Sequence, residues 1–448
     1  MDRNESNVNN ETNVREYSNL VENLNNEDVN IRLKSLEQLK YLIDKGIIKE
    51  PERHNDVNNH IHTTFSFSPY SPAKSVWMAY MSGLITAGIV DHDSIGGAEE
   101  FIKAGRIMNL PTTIGVECRV DFSCTFLKGR RINNPDQSSI AYVTLHGIPH
   151  TKINDVKQYF IPYTNERNKR NRLMVERINN VLAPFGIKQD FDNDVVPLSQ
   201  FHNGGSITER HILYSLALKL IEKCGKGKSL VDFLKNRLQI KLKANLENYL
   251  LDEKNPFYEY DLLGVLKSDL VSLIYVDARE ECPDVKEFLD FGRKIGAISA
   301  YAYLGDVTDS VTGDKRTQKF EDDYIEELFQ VLKELGFNAV TYMPSRNTKE
   351  QLRKVKSLCQ KYDFFQISGE DINSPRQPFV CKAMRDAEFA NLVDSTWALI
   401  GHEIAATGNI DNGMFSQNTI EKYPDLNERI SVYKEIGKTS FGIKCGKD

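Results

Sequence analysis

The chain has 448 residues, enough for two or three ordinary domains or for one large α/β domain with insertions. Apolar residues make up 40%, sufficient for a substantial core. The balance of 57 basic against 63 acidic residues, a formal charge of −6, excludes the global basic field that drives nucleic-acid binding. The opening residues are polar, rich in Asn and Glu, and carry no secretory signal, and no apolar run is long enough to span a bilayer. Seven cysteines, an odd number without a CxxC pair, suit core thiols in a reducing cytosol better than a disulfide framework or a thiolate zinc site. The expectation is a soluble cytoplasmic protein.

The first two dozen residues lack apolar periodicity and read as a mobile tail. Val29, Ile31, Leu33, Leu36, Leu39, Leu42 and Ile43 then mostly recur at helical spacing, predicting one amphipathic helix that ends near Gly46. From about residue 56 strands and helices alternate. A short strand ends at His60-Ile61-His62. Ser71-Pro72 supplies an N-cap and a first-turn proline for a helix running towards Gly83. An apolar strand over 84–90 stops at Asp91-His92-Asp93, a helix over about 97–108 follows, and the strand 113–116 ends at Glu117. Three successive βα units argue for a parallel sheet or barrel with right-handed crossovers.

Further strands are predicted at 140–145, 271–276, 297–303, 339–342 and 364–367, with helices at 322–335 and 348–361 among them. The stretch 190–265 breaks the rhythm and reads as inserted helices, including 207–223 and 229–236. Residues 383–408 read as one or two outer helices. The predicted organisation is therefore a tail plus helix over 1–55, a first barrel part over 56–189, a helical insertion over 190–265, a second barrel part over 266–380 and a C-terminal helical segment over 381–448.

The nine histidines are unevenly used. Residues i and i+2 of a strand face one side, so His60 and His62 present two imidazoles to one space. Asp91-His92-Asp93 and Glu117 follow at intervals of one βα unit, each where an apolar strand stops. The carboxyl ends of barrel strands converge on one face, and three polar clusters on one rim can share a metal ion that accepts oxygen and imidazole ligands.

His60-Ile61-His62-Thr63, Ser66, the Ser-Pro helix start, Asp91-His92-Asp93-Ser94 and Gly115-Val116-Glu117 resemble the PHP (polymerase and histidinol phosphatase) family over residues 56–120, with a weaker match to about residue 380. The resemblance implies an α/β fold, a distorted (β/α)7 PHP-type barrel, holding one to three divalent ions (Mn, Zn or Fe) and hydrolysing phosphate esters. It implies His60 and His62 as ligands of the first metal, Glu117 as a bridge to the second, and His92 as a ligand of the third or of the phosphate. His146 is similar to the family's next histidine, with His150 as its rival. Gly369-Glu370-Asp371-Ile372-Asn373 is similar to the family's closing motif, so Asp371 would complete the first site. Ile207-Thr208-Glu209-Arg210-His211-Ile212 resembles the family's Arg-Pro-His motif only at the histidine and its flanks. The sequence departs from the family at Phe67, where an aspartate is usual, at Asn373 in place of a histidine, and at Ala300-Tyr301-Ala302-Tyr303 in place of an Ala-His-Pro motif. Glu370, Asn373 or a tyrosine is left as a stand-in.

One or two divalent ions suffice for such hydrolysis, because a metal lowers the pKa of bound water from near 16 to about 7 and steadies the phosphoryl oxygens. A carboxylate such as Glu117 would bridge two ions roughly 4 Å apart. His92, Asp93 and His211 are the expected catalytic residues, with Asp91 and Asp93 orienting His92. Arg119, Arg346 and Arg376, just past strand ends, are the expected phosphate grips; the basic loop 310–316 reads as a solvated loop, with a phosphate clamp as its alternative, and the 128–131 run as a hairpin tip. His54, His202 and His402 carry no expected role. The expected substrate is a small phosphomonoester or a nucleotide phosphodiester, since the acidic balance argues against long nucleic acid. The alternative is a catalytically weak metal-containing module that binds a phosphorylated ligand.

Overall fold

The computed structural model describes residues 16–307 and 319–443. Seven strands form one sheet in chain order: β1 (Val57–Ile61), β2 (Thr86–His92), β3 (Thr112–Asp121), β4 (Ile140–His146), β5 (Ile298–Ala302), β6 (Ala339–Tyr342) and β7 (Phe365–Ser368). The sheet curls until the segment after β7 meets β1. The His62 amide donates to the Ile372 carbonyl at 3.0 Å, and the Ile372 amide donates to the His60 carbonyl at 3.1 Å. The result is a nearly closed α/β barrel.

The first units follow the sequence closely. Val29–Asp44 (α1) is capped by Asp28 and buries Leu36, Leu39 and Ile43. Pro72–Met81 (α2) opens with the Ser71 hydroxyl accepting the Lys74 amide at 3.0 Å and Pro72 at the first position. Ala98–Met108 (α3) stops at Asn109 in the left-handed region. A buried ion pair between Arg32 of α1 and Glu100 of α3 ties the N-terminal helix to the barrel wall. Part of the expected tail, residues 16–23, is also helical, with Leu20 and Leu24 buried in the main core.

β4 breaks the parallel rhythm. It runs antiparallel to both β3 and β5. A parallel neighbour needs a crossover of a dozen or more residues, usually a helix, whereas 122–139 contains only turns and loop. Arg130, on the 128–131 run, lies over Phe126 and Tyr324 and pairs with Glu327.

After β4 comes a 30-residue helix, Ile153–Leu182 (α4), which carries Pro162 internally. Four further helices follow: Glu209–Cys224 (α5), Lys228–Asn236 (α6), Ala244–Leu251 (α7) and Tyr258–Ile274 (α8). They bury a second core running from Met174 to Ile274, which Phe67 from the barrel also joins, wider than the 190–265 insertion read from the sequence. The strand expected at 271–276 is instead the end of α8 and the coil after it. Its apolar residues pack within the helical unit, and a short apolar run does not by itself separate strand from helix.

Val285–Ile295 (α9), Ile325–Leu335 (α10) and Lys349–Tyr362 (α11) clothe β5, β6 and β7. Thr348 and Gln351 form a capping box on α11. Ala390–Gly408 (α12) packs against β7, β3 and β1 and, with Leu426–Ser440 (α14), buries Ile298, Ala300 and Phe365; the short helix Gln417–Lys422 (α13) lies between them in sequence. No helix among the described residues is long and apolar enough to cross a membrane. The loop 310–316 lies outside the described residues.

Candidate metal centre

His60, His62 and Glu117 each offer one ligand atom, and the three atoms lie within 4.8 Å of one another. Barrel closure and register produce this grouping. His60 and His62 sit at the end of β1, where Ile372 pins the backbone on both sides of Ile61. Parallel pairing of β2 with β3 sets His92 directly beside Glu117.

The Glu117 carboxylate is the hub. Its Oε2 lies 3.1 Å from His92 Nδ1, 3.6 Å from His60 Nε2 and 3.8 Å from His62 Nε2. Asp371, one residue before the closing Ile372, brings Oδ1 to 3.1 Å from His62 Nε2. The His62 and His92 rings stack with centroids 4.5 Å apart. Behind them the Ser66 hydroxyl lies 3.5 Å from His62 Nδ1 and donates to Asp91 at 2.7 Å.

Charge follows this geometry. Burial works against ionisation of Glu117, but His60, His92 and His62 together hold its pKa down at about 2. Burial would likewise lower His60, yet Glu117 beside it raises it above the ordinary value. His92 is pushed down to about 3, first by burial and then by the charge of His62. Asp371 is held well below the carboxylate range: burial opposes this, and His62, His60 and Arg210 prevail.

His146 sits deeper. On antiparallel β4 it pairs with Gly115, two residues before Glu117. It is 1% exposed, and neither ring nitrogen has a hydrogen-bond partner. Burial, then His60, pushes it down to about 3. The Nε2 of His62 is also buried without a geometrically acceptable hydrogen bond. Buried polar nitrogens normally find partners. Buried imidazole nitrogens without hydrogen-bond partners, beside two carboxylates, fit a divalent cation.

Other expected residues are placed elsewhere. His150 is bonded at 2.8 Å to Glu403 of α12, whose other oxygen accepts the Ile114 amide; it is not at the rim. Asp91 does not orient His92: it accepts from the Thr63 amide and hydroxyl, both at 2.6 Å. Asp93 pairs with Arg167 at 2.6 Å. His211 stands in a capping box with Thr208 and meets Phe67 edge-on at 5.0 Å, buried and pushed down to about 3 by burial.

The three expected phosphate grips are committed as well. Arg119 is buried between Glu209 and Glu281. Arg346 donates to the Leu304 carbonyl. Arg376 forms a two-pronged pair with Asp261 and stacks on Tyr249. Each strand-end arginine found a nearer carboxylate or carbonyl, an outcome that spacing alone does not reveal.

The stand-in ligands are also engaged. Asn373 donates to Asp371 at 2.6 Å, and Ser345 donates to Glu370. The Tyr301 and Tyr303 hydroxyls donate to Glu321 and Asp322. The sequence reading passed over Arg210, whose charge acts on Asp371. It lies inside the Thr-Glu-Arg-His segment, next to the histidine that metal chemistry singles out.

Seven strands closing around a His-His-Glu group at the barrel mouth define a nearly closed α/β barrel with a metal-binding rim. No family model and no curated protein sequence matches this chain. Among solved structures, a provisionally assigned metal-dependent phosphoesterase from Bifidobacterium adolescentis is similar, with a TM-score of 0.50 and 17% identity over 77% of this chain and 96% of that one. An amidohydrolase from Chromobacterium violaceum, with bound sulfate and no metal, matches at a TM-score of 0.47 and 16% identity, over 72% and 90% of the two chains.

Proposed function

We propose that the protein is a metal-dependent phosphoesterase acting on a small phosphomonoester or a nucleotide phosphodiester. The observation that carries this reading is the convergence of His60, His62 and Glu117 within 4.8 Å, flanked by His92 and Asp371. These five residues would hold divalent ions (Mn, Zn or Fe), with His146 reaching up from below. A divalent ion there supplies Lewis acidity and a water of lowered pKa. The chain's own part is to fix the geometry. Glu117 and Asp371 stay ionised and place negative charge on either side of His62, His92 stays neutral at physiological pH, and Arg210, whose charge acts on Asp371, would meet the phosphoryl oxygens from that side. The likeness to the Bifidobacterium protein supports the fold that this chemistry needs.

A second reading is favoured by the tethered stand-ins. With Asn373 bonded to Asp371, and Tyr301 and Tyr303 bonded to Glu321 and Asp322, the second ion lacks an imidazole. The protein would then be a catalytically weak module that binds a phosphorylated ligand. Elemental analysis of the purified protein, with turnover of p-nitrophenyl phosphate, bis-p-nitrophenyl phosphate and a dinucleotide panel in added manganese, separates the two. Two bound ions and hydrolysis lost in His62→Ala support the enzyme. One tightly held ion without turnover supports the binding module, and no bound ion at all overturns both.

A further inference from the structure

Beside the metal centre six charged side chains form one network, five of them buried and Glu209 half-buried, and most of it comes from outside the barrel. Arg167 and Arg170 lie on α4, Glu209 opens α5, and Glu281 lies between α8 and α9. The barrel contributes Asp93, the residue after His92, and Arg119, two residues beyond Glu117. Glu281 is the centre: its Oε1 takes Arg119 and, at 3.3 Å, Arg167, while its Oε2 takes Arg170. Arg167 also reaches Asp93 at 2.6 Å, with both side chains no more than 4% exposed. Three guanidinium groups face three carboxylates, so the network carries no net charge into the site.

Asp93 is one of five non-glycine residues with positive φ among the described residues, at 48°. Aspartate tolerates this left-handed turn better than most residues. Its amide donates to the Glu117 carbonyl at 2.8 Å, so the chain turns sharply straight after His92. The helical unit grips the same turn twice more: the Ser206 hydroxyl donates to the His92 carbonyl at 2.6 Å, and the Ser94 hydroxyl donates to the Gly204 carbonyl at 2.7 Å. His60 and His62 are held differently, by the barrel closure at Ile372.

We infer that the helical unit between β4 and β5 is a positioning frame for His92: Arg167, clamped by Glu281, fixes Asp93, and with Ser206 it aims the His92 imidazole at Glu117. This rests on the reading that the rim holds divalent ions. Arg167, Glu281 and Ser206 are positioning residues. They would act on metal binding through His92, whereas the His62–Asp371 pair is set by the barrel closure.

The test is titration of the full-length apo protein with Co(II), following affinity by chelator competition and ligation by the visible d–d spectrum, with far-UV circular dichroism as the folding control. His92→Ala provides the spectrum of a rim lacking that ligand. Arg167→Met is expected to weaken the weaker-bound ion by about 10- to 100-fold, the size of effect seen when a ligand's supporting partner is lost, and to move the spectrum towards that of His92→Ala. Arg167→Lys restores part of the affinity. Ser206→Ala, a small neutral change that keeps the fold even if Arg167→Met does not, shifts both readouts less but in the same direction. Wild-type affinity and spectrum in the folded variants, with cobalt binding still lost in His62→Ala, overturn the inference and leave the phosphoesterase reading standing. A wild-type protein that binds no cobalt overturns both.

Discussion

Glu117 and His92 face each other in register across β2 and β3, with the carboxylate 3.1 Å from Nδ1 of the ring. Each sits on a different strand, and neither is placed by its neighbours in sequence. What sets the distance is the ladder between the strands, anchored at its lower end by Ala87 against Thr112.

The depth of His146 and the outward position of His150 separate two histidines only four residues apart. His146→Ala is expected to lower bound metal, since it removes a buried imidazole beside His60 and Glu117. His150→Ala is expected to keep the metal content and instead to cost about 1–3 kcal/mol of stability, because buried Glu403 loses a partner. Elemental analysis and chemical denaturation of both variants check this.

Gly369 is a clearance residue. A Cβ there would stand 2.5 Å from the His60 amide nitrogen and 2.7 Å from the His60 Cβ. Gly369→Ala is therefore expected to push the end of β7 away from β1, carry Asp371 away from His62 and weaken metal affinity at least tenfold. Isothermal titration with Mn(II) reads the effect, and unchanged affinity would refute the role given to barrel closure.

Glu321 is fully buried, and burial pushes its pKa up to about 7. A carboxyl raised in the folded state holds its proton there after the unfolded chain has released it, so stability is lost as pH rises from about 4.5 to 7. Glu321→Gln, which keeps an acceptor for the Tyr301 hydroxyl and the Leu304 amide, is expected to be neutral near pH 4.5. At pH 8 it is expected to stabilise by up to about 3 kcal/mol. Melting temperatures of the two proteins across that range provide the check.

His402 has the opposite sign. Buried in α12, with Nδ1 accepting the Met414 amide at 2.9 Å, it is pushed down by burial to about 4. The folded state keeps it neutral while the unfolded chain takes a proton below about 6.5, so stability is lost as pH falls from 6.5 to 4. His402→Asn, which retains an acceptor, is expected to flatten that acid slope by about 1.4 kcal/mol per pH unit, one proton's worth. An unchanged slope in urea-denaturation midpoints would show that the ring contributes nothing to acid sensitivity.

Part of this protein was legible as written. The two-residue period of a strand put His60 and His62 on one side, and the stops in apolar runs at His92 and Glu117 marked strand ends on one rim. Ser71-Pro72 announced α2, and the heavily polar 122–139 stretch could have announced the reversal at β4, because it holds no crossover helix. Those features are local: they depend on backbone periodicity and on which residues cap or break an element. The closing of β7 on β1 set Asp371 against His62, the reversed strand set His146 below Glu117, and a helical unit beyond residue 150 supplied the partners that claimed Arg119 and Asp93. Charged side chains settle on whichever opposite charge the fold brings nearest, and that distance is fixed by packing between segments far apart in the chain.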